Sequence, residues 1–490
     1  MNTIDTAAGQ VLALLSQRYG CTLESEYYDR IRMWEAWWRG YYKPFHCYRE
    51  QGFDGRLLER RLFSMGMAKK VCEDWAAILL NEKTTITVDN AASQKFLCGE
   101  EAAQGTGGVL GANGFWSRGN ALVEKAFALG EGAFVLRLKN ARVDRKGRLQ
   151  SDTGTAVHIE YVPATGIIPL SSQGGRITEA AFLSEWVKKG AAHLYLETHL
   201  LENGEYVVQN EFFCMKDGTL SPEPLPGGVP ARFYTGSGRP WFALLHPNTV
   251  NNILHNNGMG MSVFANALDC LMGVDLAYNN FCRDFKLGGK KVFYSKEMLS
   301  QDERGRKHTP DDVAQQLFLM VGADISFDEK QFVQEFNPSL RVAENREGVQ
   351  AQLDYLSFRC GLGARHYQFN VNTGRIMTAT EYVGGRQDLV QNASKHYIVV
   401  EQALLTLVGT ILYAGRTFCG AQVDENAAVA VHFEDSYIVD KETERARDAQ
   451  EVRDGLLLPW EFRVRWYGED EETAKARLSE AQAAQQWFEA

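Results

Sequence analysis

The 490-residue chain is short of positive charge: Lys and Arg number 52 against 62 Asp and Glu, a formal net charge of −10 and a pI near 5.6. Tight, sequence-independent binding to nucleic acid needs the opposite balance, so the chain as a whole disfavours it and leaves room only for weak contact. Nine cysteines stand singly with no CxxC pair. An odd, scattered set excludes a disulfide framework, fits a reducing compartment, and reads as small buried hydrophobes rather than ligands or nucleophiles. The longest nearly apolar run, Ala403 to Ala414, falls short of the roughly 18 residues that span a bilayer, so no transmembrane helix is expected. Met1 to Gln10 carries Asp5 and no basic residue ahead of its apolar stretch, which is not the layout of a secretory signal. The cytoplasm is the expected place of synthesis. Repeats at a solenoid period are missing too.

Familiar chemistry is equally scarce. There is no GxxxxGK[ST]; Gly288-Gly289-Lys290-Lys291 lacks the upstream glycine and the hydroxyl of a phosphate cradle, so ATP hydrolysis is not expected. Gly105-Thr106-Gly107-Gly108 with Gly111 has Leu110 at the third glycine position of a dinucleotide loop and reads as a flexible loop. Neither HExxH nor GxSxG occurs. His193 and His199, six apart on a strand-like run, fall on one face with no third ligand nearby in sequence, so solvated or hydrogen-bonded roles outweigh zinc. Glu100-Glu101 and Glu434-Asp435 read as surface charge rather than a metal or proton-sharing site. So little catalytic machinery in so long a chain points toward architecture.

What is present is globular, with 45% hydrophobic and 23% charged residues and length for about three domains; the helical and strand-like runs along it are read as α+β. Trp34, Trp37, Trp38, Tyr41 and Tyr42 follow helical spacing and predict a buried or inter-subunit face. Ala68, Val71, Cys72, Trp75, Ile78 and Leu79 predict a second amphipathic helix, ending before a strand at Thr84 to Val88. Strand-like runs at Ala133–Lys139, Val157–Val162, Glu179–Val187, His193–Leu200 and Tyr206–Phe213 alternate with turn signals such as Lys146-Gly147, Gly174-Gly175 and Asn203-Gly204. They predict an antiparallel meander closed by the Pro/Gly cluster Ser221 to Pro230. A helix over Val263 to Phe285, N-capped by Ser262, has a seven-residue seam through Phe264, Leu271, Tyr278 and Phe285 and through Ala267, Val274 and Phe281. Gly288-Gly289 ends it. A charge-rich segment, a helix over Arg346 to Cys360 and a polar loop over Arg365 to Met377 follow. Thr378 and Glu381 form a capping box opening a helix to about Tyr413, with a kink expected at Gly384-Gly385. The tail reads as a strand over Ala427 to Phe433 and two helices, Lys441 to Asp454 and Glu471 to Phe488.

With Met67-Ala68-Lys69-Lys70-Val71-Cys72-Glu73-Asp74-Trp75-Ala76-Ala77-Ile78-Leu79-Leu80-Asn81-Glu82-Lys83 in view, the sequence resembles the portal proteins, or head-to-tail connectors, of long-tailed bacteriophages and related prophages. Gly260-Met261-Ser262-Val263-Phe264, Val274 to Phe281, Gly289-Lys290-Lys291-Val292-Phe293, Met377 to Val383 and Phe433-Glu434-Asp435-Ser436 agree in the same order, over roughly Met65 to Leu478. The resemblance implies a ring at one capsid vertex, usually a dodecamer, through which double-stranded DNA is packaged and later ejected. It implies a wing (1–260), a stem helix (261–287), a clip (288–339), a second stem helix (340–362), a tunnel loop (363–377), a long kinked helix (378–414) and a C-terminal crown (415–490). His366, Gln368, Asn370, Asn372 and Arg375 become candidates for touching DNA phosphates, with a neighbouring subunit's loop as an equal alternative; Tyr367, Phe369 and Ile376 are expected to be buried. Lys296, Glu297, Asp302, Arg304 and Arg306 become candidates for docking the large terminase subunit and the head-completion adaptor. Capsid and scaffolding proteins are the other implied partners. The virion vertex is the implied location, and no cofactor, metal, membrane contact or enzymatic activity is implied. Two seam-bearing helices bracketing a charged insertion, a helix with a Gly-Gly pair after a polar loop, and an acidic chain suited to weak DNA contact fit this independently. The rival readings are another virion protein, an adaptor or capsid subunit, and a metal-dependent hydrolase on the β-rich middle.

Overall fold

The computed structural model of the chain describes residues 3–21, 25–51, 55–81, 83–100, 107–151, 154–188, 191–216, 219–253, 258–294, 300–301, 307–308, 317–319, 333–368, 387–433 and 441–489. It is 46% helical and 26% strand, a mixture consistent with the α+β class.

The chain opens with helices α1 (Thr3–Tyr19) and α2 (Ser25–Trp38). Trp34 and Trp37 are buried on α2, as the aromatic stripe predicted. The helix stops at Trp38, where Gly40 takes φ +77°; Tyr41 and Tyr42 therefore extend the stripe from a turn rather than from the helix. A one-turn helix α3 (Lys43–His46) leads into an exposed hairpin, β1 (Cys47–Gln51) and β2 (Leu57–Arg61). Helix α4 (Met67–Leu79) buries Ala68, Val71, Cys72, Trp75 and Leu79. Its outer face carries Lys69–Glu73 and Lys70–Asp74 ion pairs at i,i+4. Then come β3 (Thr85–Val88), α5 (Ala91–Cys98), α6 (Gly108–Ala112) and α7 (Phe115–Leu129). The glycine-rich stretch is therefore not a flexible loop from Gly107 onward. Gly99 packs so closely on Gly107 that a Cβ on Gly99 would lie 2.6 Å from the Gly107 Cα, and side chains are excluded there by contact.

Strands β4 (Gly132–Lys139), β5 (Arg142–Val143), β6 (Leu149–Gln150) and β7 (Ala156–Pro163) follow. Next are β8 (Ile167–Gln173), β9 (Arg176–Lys188), β10 (Ala191–Glu202), β11 (Glu205–Lys216) and β12 (Thr219–Glu223), which pair in sequence order as an antiparallel meander. Its hairpins turn at Gly174-Gly175 and Asn203-Gly204, both expected from sequence. Strand β8 was not expected, because Pro169 interrupts its apolar run; Pro169 sits on the sheet's edge beside a register shift, where a missing N–H is tolerated. The Pro/Gly cluster does not close the unit. Beyond it β13 (Arg232–Tyr234) pairs with β11, and β14 (Phe242–Leu245) completes a second sheet of order β14-β4-β7. Ser221 and Pro222 themselves lie within β12.

A 3-10 turn at Ala265–Ala267 precedes α8 (Leu268–Leu287). Ser262 is thus not the cap of α8: its hydroxyl lies 3.3 Å from the Phe127 carbonyl and 3.4 Å from the Phe264 amide, inside the core. The predicted seam is buried only in its first half, at Phe264, Ala267, Leu271 and Val274; Tyr278 and Phe281 are half-buried and Phe285 is exposed. Strands β15 (Lys291–Tyr294), β16 (Ser300–Gln301), β17 (Lys307–His308), β18 (Leu317–Leu319) and β19 (Val333–Phe336) follow. β18-β15-β19 form a small mixed sheet. Helix α9 (Val342–Arg359) packs back on α8. Helix α10 (Gln387–Phe418) runs through the core against β14, α4 and α5. Strand β20 (Val429–His432) pairs with β3, and α11 (Lys441–Arg453), α12 (Pro459–Tyr467) and α13 (Glu471–Glu489) end the chain.

By length and composition α10 is apolar enough to cross a membrane, which counting one uninterrupted run did not reveal; more than half of its most apolar window is buried inside the fold. One continuous core joins α2, α4, α7, β4, β7, the start of α8, α9 and α10. A smaller core seats Val11 and Leu15 of α1 on the meander at Ile168, Ala181, Leu183, Leu194, Leu196 and Phe213.

Candidate channel loop and paired helices

Helices α8 and α9 are fixed to the body at one end. Asp275 on α8 and His46 at the end of α3 are 3% and 0% exposed, with His46 Nε2 2.9 Å from Asp275 Oδ2. The Tyr42 amide donates to His46 Nδ1 at 2.8 Å, which places the ring proton on Nε2 and makes it the donor to Asp275. The other carboxylate oxygen accepts from the Met65 amide at 2.7 Å. A buried carboxylate is tolerated here because each oxygen has a donor.

At the far end, Asp284 on α8 accepts from the Arg341 amide (3.2 Å), the Arg341 guanidinium (2.9 Å) and Asn345 Nδ2 (3.0 Å). The Arg341 hydrogen bond holds the Asp284 carboxyl below its ordinary pKa. Gly288 lets the returning chain approach: a Cβ there would stand 2.4 Å from Leu340 Cδ2. Between these points the helices leave apolar side chains in solvent. Leu276, Phe285 and Leu287 on α8, with Leu340, Tyr355 and Phe358 on the returning chain, are 41–62% exposed. Lys290 and Glu335 pair at 2.9 Å across the root of the insertion.

The polar loop starts from an anchored base. Gly361 and Gly363 at φ +81° and +86° end α9. Tyr367 is buried, as expected, and its hydroxyl donates to Asp74 Oδ2 at 2.8 Å. His366 Nε2 lies 3.3 Å from the same carboxylate, Lys70 pairs with it, and Gln350 donates to the Tyr367 carbonyl at 2.9 Å. Burial works against the Asp74 charge, but hydrogen bonds from His366, Lys70 and Tyr367 outweigh it and hold its pKa below the ordinary carboxylate value. Burial, then the Asp74 charge, pushes the Tyr367 hydroxyl far up.

Of the candidate loop residues, His366 and Gln368 are brought together on this exposed base, with Met65, Met67 and Lys70 lining the same shallow hollow. Asn370, Asn372, Arg375, Phe369 and Ile376 lie outside the described residues. So do Gly384 and Gly385, the Thr378–Glu381 capping box, and the docking candidates Lys296, Glu297, Asp302, Arg304 and Arg306.

Sequence reasoning missed three polar clusters. The His46–Asp275 pair joins positions 229 residues apart, which no local pattern reveals. Glu131 is fully buried, and burial raises its carboxyl to about 7 despite a partial offset from His246 and from the Gly260 and Gly132 amides. His199, also fully buried, is hydrogen-bonded to Glu197 at 3.0 Å, which in turn pairs with Arg137; this matches the hydrogen-bonded role expected of it. His193 has different neighbours, Cys214 and Glu223. No protein-family model matches the chain, and no curated protein is significantly similar to it.

Proposed function

We propose that the chain is a portal subunit: a non-enzymatic ring-former that anchors a capsid vertex and passes double-stranded DNA. The observation that carries this reading is the pair α8 and α9. Helix α8 is pinned to the body by the buried His46–Asp275 hydrogen bond, and the two helices leave it with apolar side chains exposed and bracket a separate small sheet. A row of exposed large hydrophobics on a rigid helix pair is unfavourable in a lone chain and is relieved when neighbouring copies cover it. The loop that starts at His366 and Tyr367 springs from the inner end of the same pair, so twelve-fold or similar repetition would present it as a ring of polar side chains. Weak contact with DNA then comes from a subunit of net negative charge. The insertion at 288–339 would meet the terminase and later the head-completion adaptor.

Negative-stain electron microscopy with native mass measurement tests the proposal. Closed rings with a central hole are expected, from the chain alone or with scaffold and capsid proteins. A chain that stays monomeric with all of these partners, or that hydrolyses ATP unaided, overturns it.

A further inference from the structure

Strands β10, β11 and β12 lie side by side in the meander. His193 stands opposite Cys214 across the β10–β11 ladder, and Cys214 stands opposite Ser221 across β11–β12. Glu223 is two residues beyond Ser221, and the period of two returns it to the same face. Three strands therefore bring an imidazole, a thiol and a carboxylate together, one ligand atom of each lying within 4.8 Å of the others. His193 Nε2 and Glu223 Oε2 are 3.3 Å apart. In a tetrahedral zinc site with bonds of about 2.0–2.3 Å, neighbouring ligand atoms stand roughly 3.3–3.8 Å apart. The His–Glu edge already has that length, and the thiol sulfur has only a short distance to close.

The surroundings favour a held site. The Phe212 ring stacks on the His193 ring at 5.2 Å and 10°, and Trp186 packs on Phe212 at 5.5 Å, which fixes the imidazole plane. His193 and Cys214 are 8% and 4% exposed, whereas Glu223 is only partly buried on the edge strand and offers the way in. Sulfur, nitrogen and a single carboxylate are the donors zinc takes; calcium and magnesium ask for oxygen throughout.

We propose that His193, Cys214 and Glu223 form a Zn²⁺ site, with water in the fourth position. The thiol gives its proton to solvent as the S–Zn bond forms, and His193 binds as the neutral ring. The ion ties β12, the outermost strand, to the two strands inside it. It serves where a disulfide would not persist, and it stands independently of ring assembly.

Cobalt loading of the chelator-treated full-length chain tests this. The expected spectrum has a thiolate-to-cobalt band in the near ultraviolet and intense visible bands of four-coordinate cobalt, with about one equivalent of zinc displacing them. Cys214→Ser abolishes the near-ultraviolet band, and Cys270→Ser, on α8, leaves it unchanged. Glu223→Gln keeps a partly exposed edge residue in shape and weakens zinc affinity at least about tenfold; it decides the matter if Cys214→Ser does not fold. A spectrum without the thiolate band, one that persists in Cys214→Ser, or unchanged affinity in Glu223→Gln overturns the site.

Discussion

Replacing Asp275 by Ala removes the carboxylate that joins α8 to the N-terminal helices. Two donors then lose their acceptor inside the core: His46 Nε2–H, 2.9 Å away, and the Met65 amide, 2.7 Å away. The His46 contact lies where water does not reach, since His46 is 0% and Asp275 3% exposed, whereas Met65 is half-buried. A buried donor left without its acceptor costs about 1–3 kcal/mol, so stranding one fully buried and one half-buried donor costs about 2–4 kcal/mol. With a urea slope of about 3 kcal/mol/M, at the upper end for a folding unit, the midpoint falls by about 0.7–1.3 M. Asp275→Asn restores one acceptor but points an NH2 group at a second donor, so it recovers less than half of the loss. In a cycle with His46→Ala, the two substitutions couple by more than about 1 kcal/mol. The assay is urea denaturation followed by tryptophan fluorescence, for which buried Trp37, packed 5.0 Å from His46, is a local reporter. A midpoint within about 0.3 M of the unsubstituted chain would falsify the claim that this pair holds the helix to the body.

Glu131, raised to about 7 by burial, binds a proton in the folded state more tightly than in the unfolded one. Its contribution is therefore fully present below about pH 4.5 and is lost as pH rises through 7; a difference of about 2.5 units corresponds to about 3 kcal/mol. Glu131→Gln should remove about 2.5 kcal/mol of the decline between pH 5 and 8, and parallel stability profiles for the two proteins would refute it. Gly260→Ala sets a Cβ 2.4 Å from the Gly130 carbonyl and 2.6 Å from the His246 Cβ, and should destabilise by about 1–3 kcal/mol in thermal unfolding; an unchanged transition would contradict the packing described. Tyr367→Phe deletes the 2.8 Å hydrogen bond to Asp74 and should cost about 1 kcal/mol, with the Asp74 carboxyl titrating higher by NMR; an unmoved titration would show that the hydroxyl does not set that carboxylate's charge.

The parts of the fold legible in the sequence were those in which one periodic pattern and its punctuation agree. Helix α4 combined an apolar 3.6 repeat with i,i+4 ion pairs, and the meander combined β runs with Gly-Gly and Asn-Gly turns. Legibility failed where tertiary contact overrode the local signal. Strand β8 was concealed by Pro169, which only an edge position tolerates. Ser262 looked like a cap, but its hydroxyl is taken by the Phe127 carbonyl and the helix begins later, at Leu268. The anchored base of the loop was partly readable, because Tyr367 carried an apolar expectation; its partner Asp74, on α4, was not. The same limit hid Cys214 and Glu223 from His193, since three strands must first align before those residues meet.

The latch at the far end of α8 has a consequence for how such a chain can diversify. The peptide leaves the helix pair at Gly288 and returns to it at Leu340, side by side, with Asp284 gripping the returning backbone. An excursion whose two ends already touch adds little strain to its host whatever its length, since doubling a flexible loop costs only about 0.6 kcal/mol in closure entropy. The segment between those residues is thus a cassette: its length can change with little strain on the core that carries α8 and α9.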